Sequence, residues 1–263
     1  MPFPDSKRVI YKRNPLNEVI CQVRFPPILR IEAEAPAAFQ ERVRAEYPLF
    51  RELQPDLPAG NVPPGIASMV KAMLPNRART TAYEFAREDG AWSITLSRDA
   101  LALKTTAYRR WEEFREHLEG LLAALNELYR PNFFLRVGLR YVDVIQRSKL
   151  GLKDQPWSEL LRPHIAGEFA APELAGQIEH AARELRVKLA AEGSVMIRHG
   201  IAVEESTNEQ CFMIDSDFFV ERRLEPQHAL GLLTDFNRQS GHLFRWCIQD
   251  ALDRAMEPAN VAD

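Results

Sequence analysis

The sequence predicts an α+β fold, a largely antiparallel and curved sheet with long helices packed on one of its faces. Three observations predict it. Short runs of alternating apolar and polar residues, separated by turn chemistry, recur on both sides of the midpoint of the chain. A long apolar stripe at helical spacing follows each set. Between the two sets lies NFFLRVGLRYVDVIQR, residues 132–147. At period two, Phe133, Leu135, Val137, Leu139, Tyr141 and Ile145 share one face, with Asp143 the one charge among them. The opposite face carries Arg136 and Arg140 around Gly138. Unbroken, such a strand would run about 50 Å, which marks it as central or strongly curved.

The elements follow in order. Residues 1–13 are polar and basic and read as a loosely held arm. Val19, Cys21, Val23 and Phe25 alternate with Ile20, Gln22 and Arg24 in a first strand, stopped by Pro26-Pro27 because proline cannot donate to a ladder. After Pro36, the spacing of Phe39, Val43, Tyr47 and Phe50 predicts a helix to about Leu53. Residues 54–80 hold five prolines and two glycines, which forbid a long regular element and predict a mobile cover. Tyr83-Phe85, Trp92-Ile94-Leu96 and Leu101-Leu103-Thr105, joined by Glu88-Asp89-Gly90 and Ser97-Arg98-Asp99, make an antiparallel meander. Tyr108, Trp111, Phe114, Leu118, Leu121, Leu122, Leu125 and Leu128 then form a helical stripe that Pro131 stops.

Beyond the central strand, residues 148–176 read as irregular, with a short helix at 157–161. Strands are expected at 183–190, 195–203 and 211–219, and one long helix from Pro226 to Met256. Residues 82–129 and 183–256 share the order hairpin, third strand, long aromatic helix. That repetition predicts an internal duplication of βββα units. The chain is therefore expected to be a single α+β domain, 1–263, with pseudo-repeats at about 14–147 and 177–257 joined by 148–176.

A chain of 263 residues that is 46% hydrophobic and 27% charged has enough apolar material for a large core and is not disordered. Its net charge of -3 argues against broad affinity for nucleic acid or membranes. Cys21, Cys211 and Cys247 are odd in number, far apart and set in apolar patterns, as expected of buried thiols in the cytoplasm. The first residues show no apolar signal segment, and no run is long enough to span a bilayer. The 34 basic residues divide into 27 Arg and 7 Lys. Arginine suits carboxylate and phosphate recognition, although a GC-rich genome gives the same bias.

No G-x-S-x-G, H-E-x-x-H, Walker loop, G-x-G-x-x-G or C-x-x-C is present, so no catalytic constellation and no cofactor is expected. Asp215 and Asp217 share a strand face and are the metal candidates, without an identifiable third ligand. Arg136 and Arg140, about 13 Å apart at strand rise, could hold a small anionic ligand or pair with carboxylates such as Asp215 and Asp217. Tyr108 and Trp111 could line a ligand pocket, or simply pack in the core. His199 on an apolar face reads as a core histidine; His117 and His242, near helix stripes, indicate nothing specific.

Taken together, several runs resemble a family of sporadically distributed, uncharacterised bacterial proteins of about 260 residues. They are Asn14-Pro15-Leu16 with Glu18-Val19, Thr105-Thr106-x-Tyr108-x-x-Trp111-x-x-Phe114, Arg136-x-Gly138-Leu139-Arg140-Tyr141, Ile214-Asp215-x-Asp217, and Phe244 with Asp250. The likeness spans nearly the whole chain and departs at Asp143, where that family tends to carry asparagine. It implies a fold and no reaction. The expected function is a cytoplasmic binding or interaction protein with a protein partner. The rivals are a helix-grip-like small-molecule binder or enzyme, and a nucleic-acid accessory protein using Lys71, Arg77, Arg79, Lys104, Arg109 and Arg110.

Overall fold

Alternation decides where the strands form. In the computed structural model, which describes residues 2–53, 81–174, 176–190, 192–204 and 207–260, each predicted apolar run becomes a strand. The chain opens with β1 (Val9–Tyr11), β2 (Leu16–Arg24), α1 (Arg30–Ala33), α2 (Ala37–Val43) and β3 (Leu49–Leu53). The meander follows as β4 (Ala82–Ala86), β5 (Trp92–Ser97) and β6 (Ala100–Thr105), then α3 (Trp111–Tyr129) and the central β7 (Arg136–Ile145). Next come α4 (Arg147–Leu150), α5 (Trp157–Leu160), α6 (Pro163–Ala166) and a 3-10 turn at Gly167–Ala170. The chain ends with β8 (Ala182–Lys188), β9 (Ser194–Glu204), β10 (Glu209–Val220), α7 (Ala229–Cys247), α8 (Asp250–Ala255) and β11 (Pro258–Asn260). Among the described residues, nine strands form one open antiparallel sheet in the order β3-β4-β5-β6-β2-β7-β10-β9-β8, and β1 pairs with β11 apart from it. This is the α+β class.

The chain divides into two compact units. Unit 1 comprises Met1–Asn17, Tyr141–Phe218 and Asp235–Asp263; unit 2 comprises Glu18–Arg140 and Phe219–Thr234. In unit 2, Phe39 of α2 packs 5.5 Å from Phe85, and Phe114 of α3 lies 5.8 Å from Trp92, ring centre to ring centre. The helices thus cover the apolar side of the meander. In unit 1, Phe236 of α7 meets Phe218 at 6.0 Å and Trp157 of α5 meets Phe212 at 5.6 Å.

Three expectations need correction. The predicted helix to Leu53 ends at Val43, and Leu49–Leu53 is instead the edge strand β3. Phe39, Val43 and Tyr47 are buried at helical spacing, but Pro48 cannot continue a helix and Phe50 is 46% exposed. The last helix is two helices. It breaks at Ile248-Gln249, where Gln249 donates its amide N–H to Leu160 O and its side chain to Ser158 O and Leu161 O. The N-terminal arm is tied down: β1 pairs with β11, Phe3 lies buried 5.4 Å from Trp246, and Tyr11 donates to Asp253 at 2.7 Å. The proline-rich 54–80 stretch lies outside the described residues.

Candidate functional site: the half-open sheet face of unit 2

Strand alternation gives unit 2 two unlike faces. Val19, Cys21, Val23, Tyr83, Phe85, Trp92, Ile94, Leu96, Leu101, Leu103 and Thr105 are buried on the helix side. Most of their sequence neighbours are half-buried, although Ser97 and Ala100 at the β5–β6 turn are buried. Because the strands are in register, these neighbours form rows across the sheet. One row runs Arg51, Glu84, Thr95, Ala102, Gln22; a second runs Leu49, Ala86, Ser93, Lys104, Ile20. The floor is thus built of alanine, serine and threonine, with ion pairs standing on it. Arg51 Nε meets Glu84 at 2.6 Å, and Lys104 Nζ meets Glu18 at 3.2 Å.

Arg136, Gly138 and Arg140 occupy the half-open side of β7, with the glycine beneath an arginine side chain. The Arg136 guanidinium folds back over position 138, so a Cβ there would lie 2.9 Å from its Cζ. Its Cζ sits 5.0 Å above the Phe219 ring, and Nε is 3.9 Å from Glu221. Arg136 thus has an aromatic and an acidic neighbour inside unit 2. Arg136→Ala should cost about 1–2 kcal/mol through the lost stacking, with Arg136→Lys recovering part of it. Urea denaturation of the two variants checks this, and an unchanged midpoint for the alanine variant refutes it.

Asp215 is buried and accepts from Arg198 Nη1 at 3.4 Å, while Arg198 Nε reaches Glu184 at 2.6 Å. Asp217 beside it is half-buried. No group of three or more metal-ligating side chains occurs among the described residues. Tyr108 is half-buried with its ring 6.0 Å from Phe114, and Trp111 is buried in contact with the same ring. Both are packing residues of α3 and its approach. Trp111 Nε1 has no hydrogen-bond partner among the described residues. His199 is buried and stacked on Phe212, the place expected of a core histidine.

Compared with protein-family models, curated proteins and solved structures, the chain matches none. No helix among the described residues is long and apolar enough to cross a membrane. Of the basic residues considered for nucleic acid, Lys104 is engaged by Glu18, Arg109 and Arg110 are exposed ahead of α3, and Lys71, Arg77 and Arg79 lie outside the described residues.

One hollow, of about 270 Å³, is rimmed in unit 1 by Arg13, Asn14, Gln146, Lys149 and Glu204 among others. Another, of about 440 Å³, is rimmed in unit 2 by Ala45, Glu46, Pro48, Arg87, Glu88 and Asp89. The second rim is largely polar and the first mixes these polar groups with Pro15, Leu16, Val144 and Leu150, unlike the apolar enclosure of a helix-grip binder. Sequence reasoning passed over His117, which lies beside this second hollow in contact with Glu46 and Arg87. Its partners come from positions 46, 47, 87 and 92, too far apart for any local motif.

Proposed function

We propose that the chain is a binding protein that engages a protein partner through the half-open sheet face of unit 2. The carrying observation is the in-register floor of Ala102, Ser93 and Thr95, flanked by the Arg51–Glu84 and Lys104–Glu18 pairs. Small side chains let a partner approach the sheet closely. Flanking charges of both signs fix its register more than its affinity. Site-specific photo-crosslinking tests this, with p-benzoylphenylalanine installed at Thr95 or, as control, at the half-buried Glu119 of α3. A discrete adduct with one protein at Thr95, lost on adding Glu84→Lys, supports the reading. Equal adducts at both positions, or none at Thr95, remove it.

Cytoplasmic placement rests on the three buried free thiols Cys21, Cys211 and Cys247, which suit a reducing compartment. Cell fractionation that finds the protein outside the cytoplasm would remove this placement.

The duplication also remains a proposal, supported by the strand order. β4-β5-β6-β2 and β8-β9-β10-β7 each run from a hairpin through a third strand to a strand earlier in the sequence, and β3, which lies between β2 and β4 in sequence, adds an edge strand beyond β4. This makes β7 the counterpart of β2. A crystal structure in which the two sets and their long helices failed to superpose would remove the proposal.

A further inference from the structure

The His117 cluster is a box already filled by one of the protein's own cations. Arg87 leaves the end of β4 at a tight turn, with its N–H on Trp92 O at 3.0 Å and Gly90 at φ +67. Its guanidinium carbon stands 5.3 Å from the Trp92 ring centre and 5.7 Å from that of Tyr47. The His117 ring, 4.4 Å from Trp92, forms a third wall. Arg87 Nη2 lies 3.2 Å from His117 Nε2 and 3.5 Å from Glu46 Oε2. A guanidinium can only donate, so Nε2 accepts and the ring proton sits on Nδ1. That nitrogen lies 3.2 Å from both Tyr47 OH and Glu46 Oε2. Burial first, then the Arg87 charge, lowers the pKa of His117, in keeping with a neutral imidazole.

The 440 Å³ hollow opens beside this box, and its rim carries Glu46, Glu88 and Asp89 against the one cation Arg87. Aromatic walls with carboxylates recognise guanidinium and alkylammonium groups. Beyond the two aromatic rings, the polar contacts that hold Arg87 there are weak. Its ion pair with the exposed Glu46 is long, and its other polar partner in the box is a neutral ring nitrogen.

We propose that this box receives a guanidinium or alkylammonium group from a basic peptide, which displaces Arg87 from between Tyr47 and Trp92. Arg87 is then an internal competitor that occupies the receptor when no ligand is present. The site is separate from the sheet face proposed above, so either can fail without the other.

The test uses the full chain and Nα-acetyl-arginine amide as the probe, with the uncharged Nα-acetyl-citrulline amide as control. Binding is read from the His117 ring and Trp92 indole resonances. Wild type is expected to show saturable shifts with the arginine probe and none with citrulline. Arg87→Gln, which vacates the box, should bind the arginine probe about tenfold more tightly, because the fraction of competent protein rises. Glu46→Gln, at an exposed position that threatens folding little, should bind at least about tenfold more weakly than wild type. Equal shifts with citrulline overturn the proposal. So does an Arg87→Gln protein, folded by its amide spectrum, that binds no more tightly than wild type.

Discussion

Replacing Asp143 by asparagine is expected to raise stability strongly at pH 9 and to leave it almost unchanged at pH 4. Asp143 lies on β7 within unit 1, only 6% exposed. Burial first, and then the charge of Asp215, push its carboxyl up to about 8 from an ordinary value of 3.8. The sign follows from proton counting. Above pH 4 the unfolded chain releases this proton while the native state keeps it, so the native state binds more protons and stability falls as pH rises towards 8. The cumulative loss is about 4–6 kcal/mol, a figure that asparagine, carrying no ionisable group, avoids. Three other groups act in the opposite sense. His117, His199 and His242 have pKa values lowered chiefly by burial, so their contribution is present above pH 6.5 and lost on acidification. Urea unfolding at pH 4.5, 7 and 9 should be compared as variant minus wild type, which cancels the histidines. Parallel pH curves for the two proteins would refute the account.

Gly200→Ala is expected to be among the most damaging single-methyl additions to the chain. On β9 this glycine faces backbone. A Cβ would collide with Ala181 O and lie 2.8 Å from the carbonyl carbon of Ala181 and 3.0 Å from the Cα of Ala182. Ile201 also donates to Ala181 O at 2.9 Å, so the obstructing chain is fixed in place. Nothing here can swing aside as a long side chain could. The expected cost is about 3 kcal/mol or more, or roughly 6–12 °C in Tm. Gly120→Ala makes the opposite control. Position 120 lies on the exposed side of α3 with nothing within 4 Å of an added Cβ, so alanine should stabilise by about 0.5–1 kcal/mol. Thermal melts of both variants decide the matter; a Gly200→Ala melt within a degree or two of wild type contradicts it.

Much of the fold was legible because burial on one side of a strand writes itself at period two. Val19, Cys21 and Val23, or Trp92, Ile94 and Leu96, announce both the strand and its buried side. Asp143 was visible as the odd charge in an apolar row, although its proton depends on how completely the row is covered. Leu49–Leu53 was misread because Phe39 and Val43 of the helix are followed by a buried Tyr47 in the turn beyond it, and Phe50 continues their spacing by coincidence. The break after Cys247 was invisible, since it depends on the carbonyls of Ser158, Leu160 and Leu161 meeting Gln249. The role of Gly138 could be read only once the Arg136 guanidinium was seen to lie across it. Nothing local marks the His117 box, whose three walls and acid converge through folding alone.

The three thiols give each unit its own clock. Cys21 is buried in unit 2, while Cys211 and Cys247 are buried in unit 1. Burial pushes all three away from the reactive thiolate, Cys21 to about 12 and Cys211 to about 11, with Cys247 raised further by Asp143. An alkylating reagent therefore meets a nearly inert native molecule, and modification waits for the surrounding structure to open. The rate at Cys21 then measures how often unit 2 opens, and the rate at Cys247 measures the same for unit 1, with no label or mutation added to the chain.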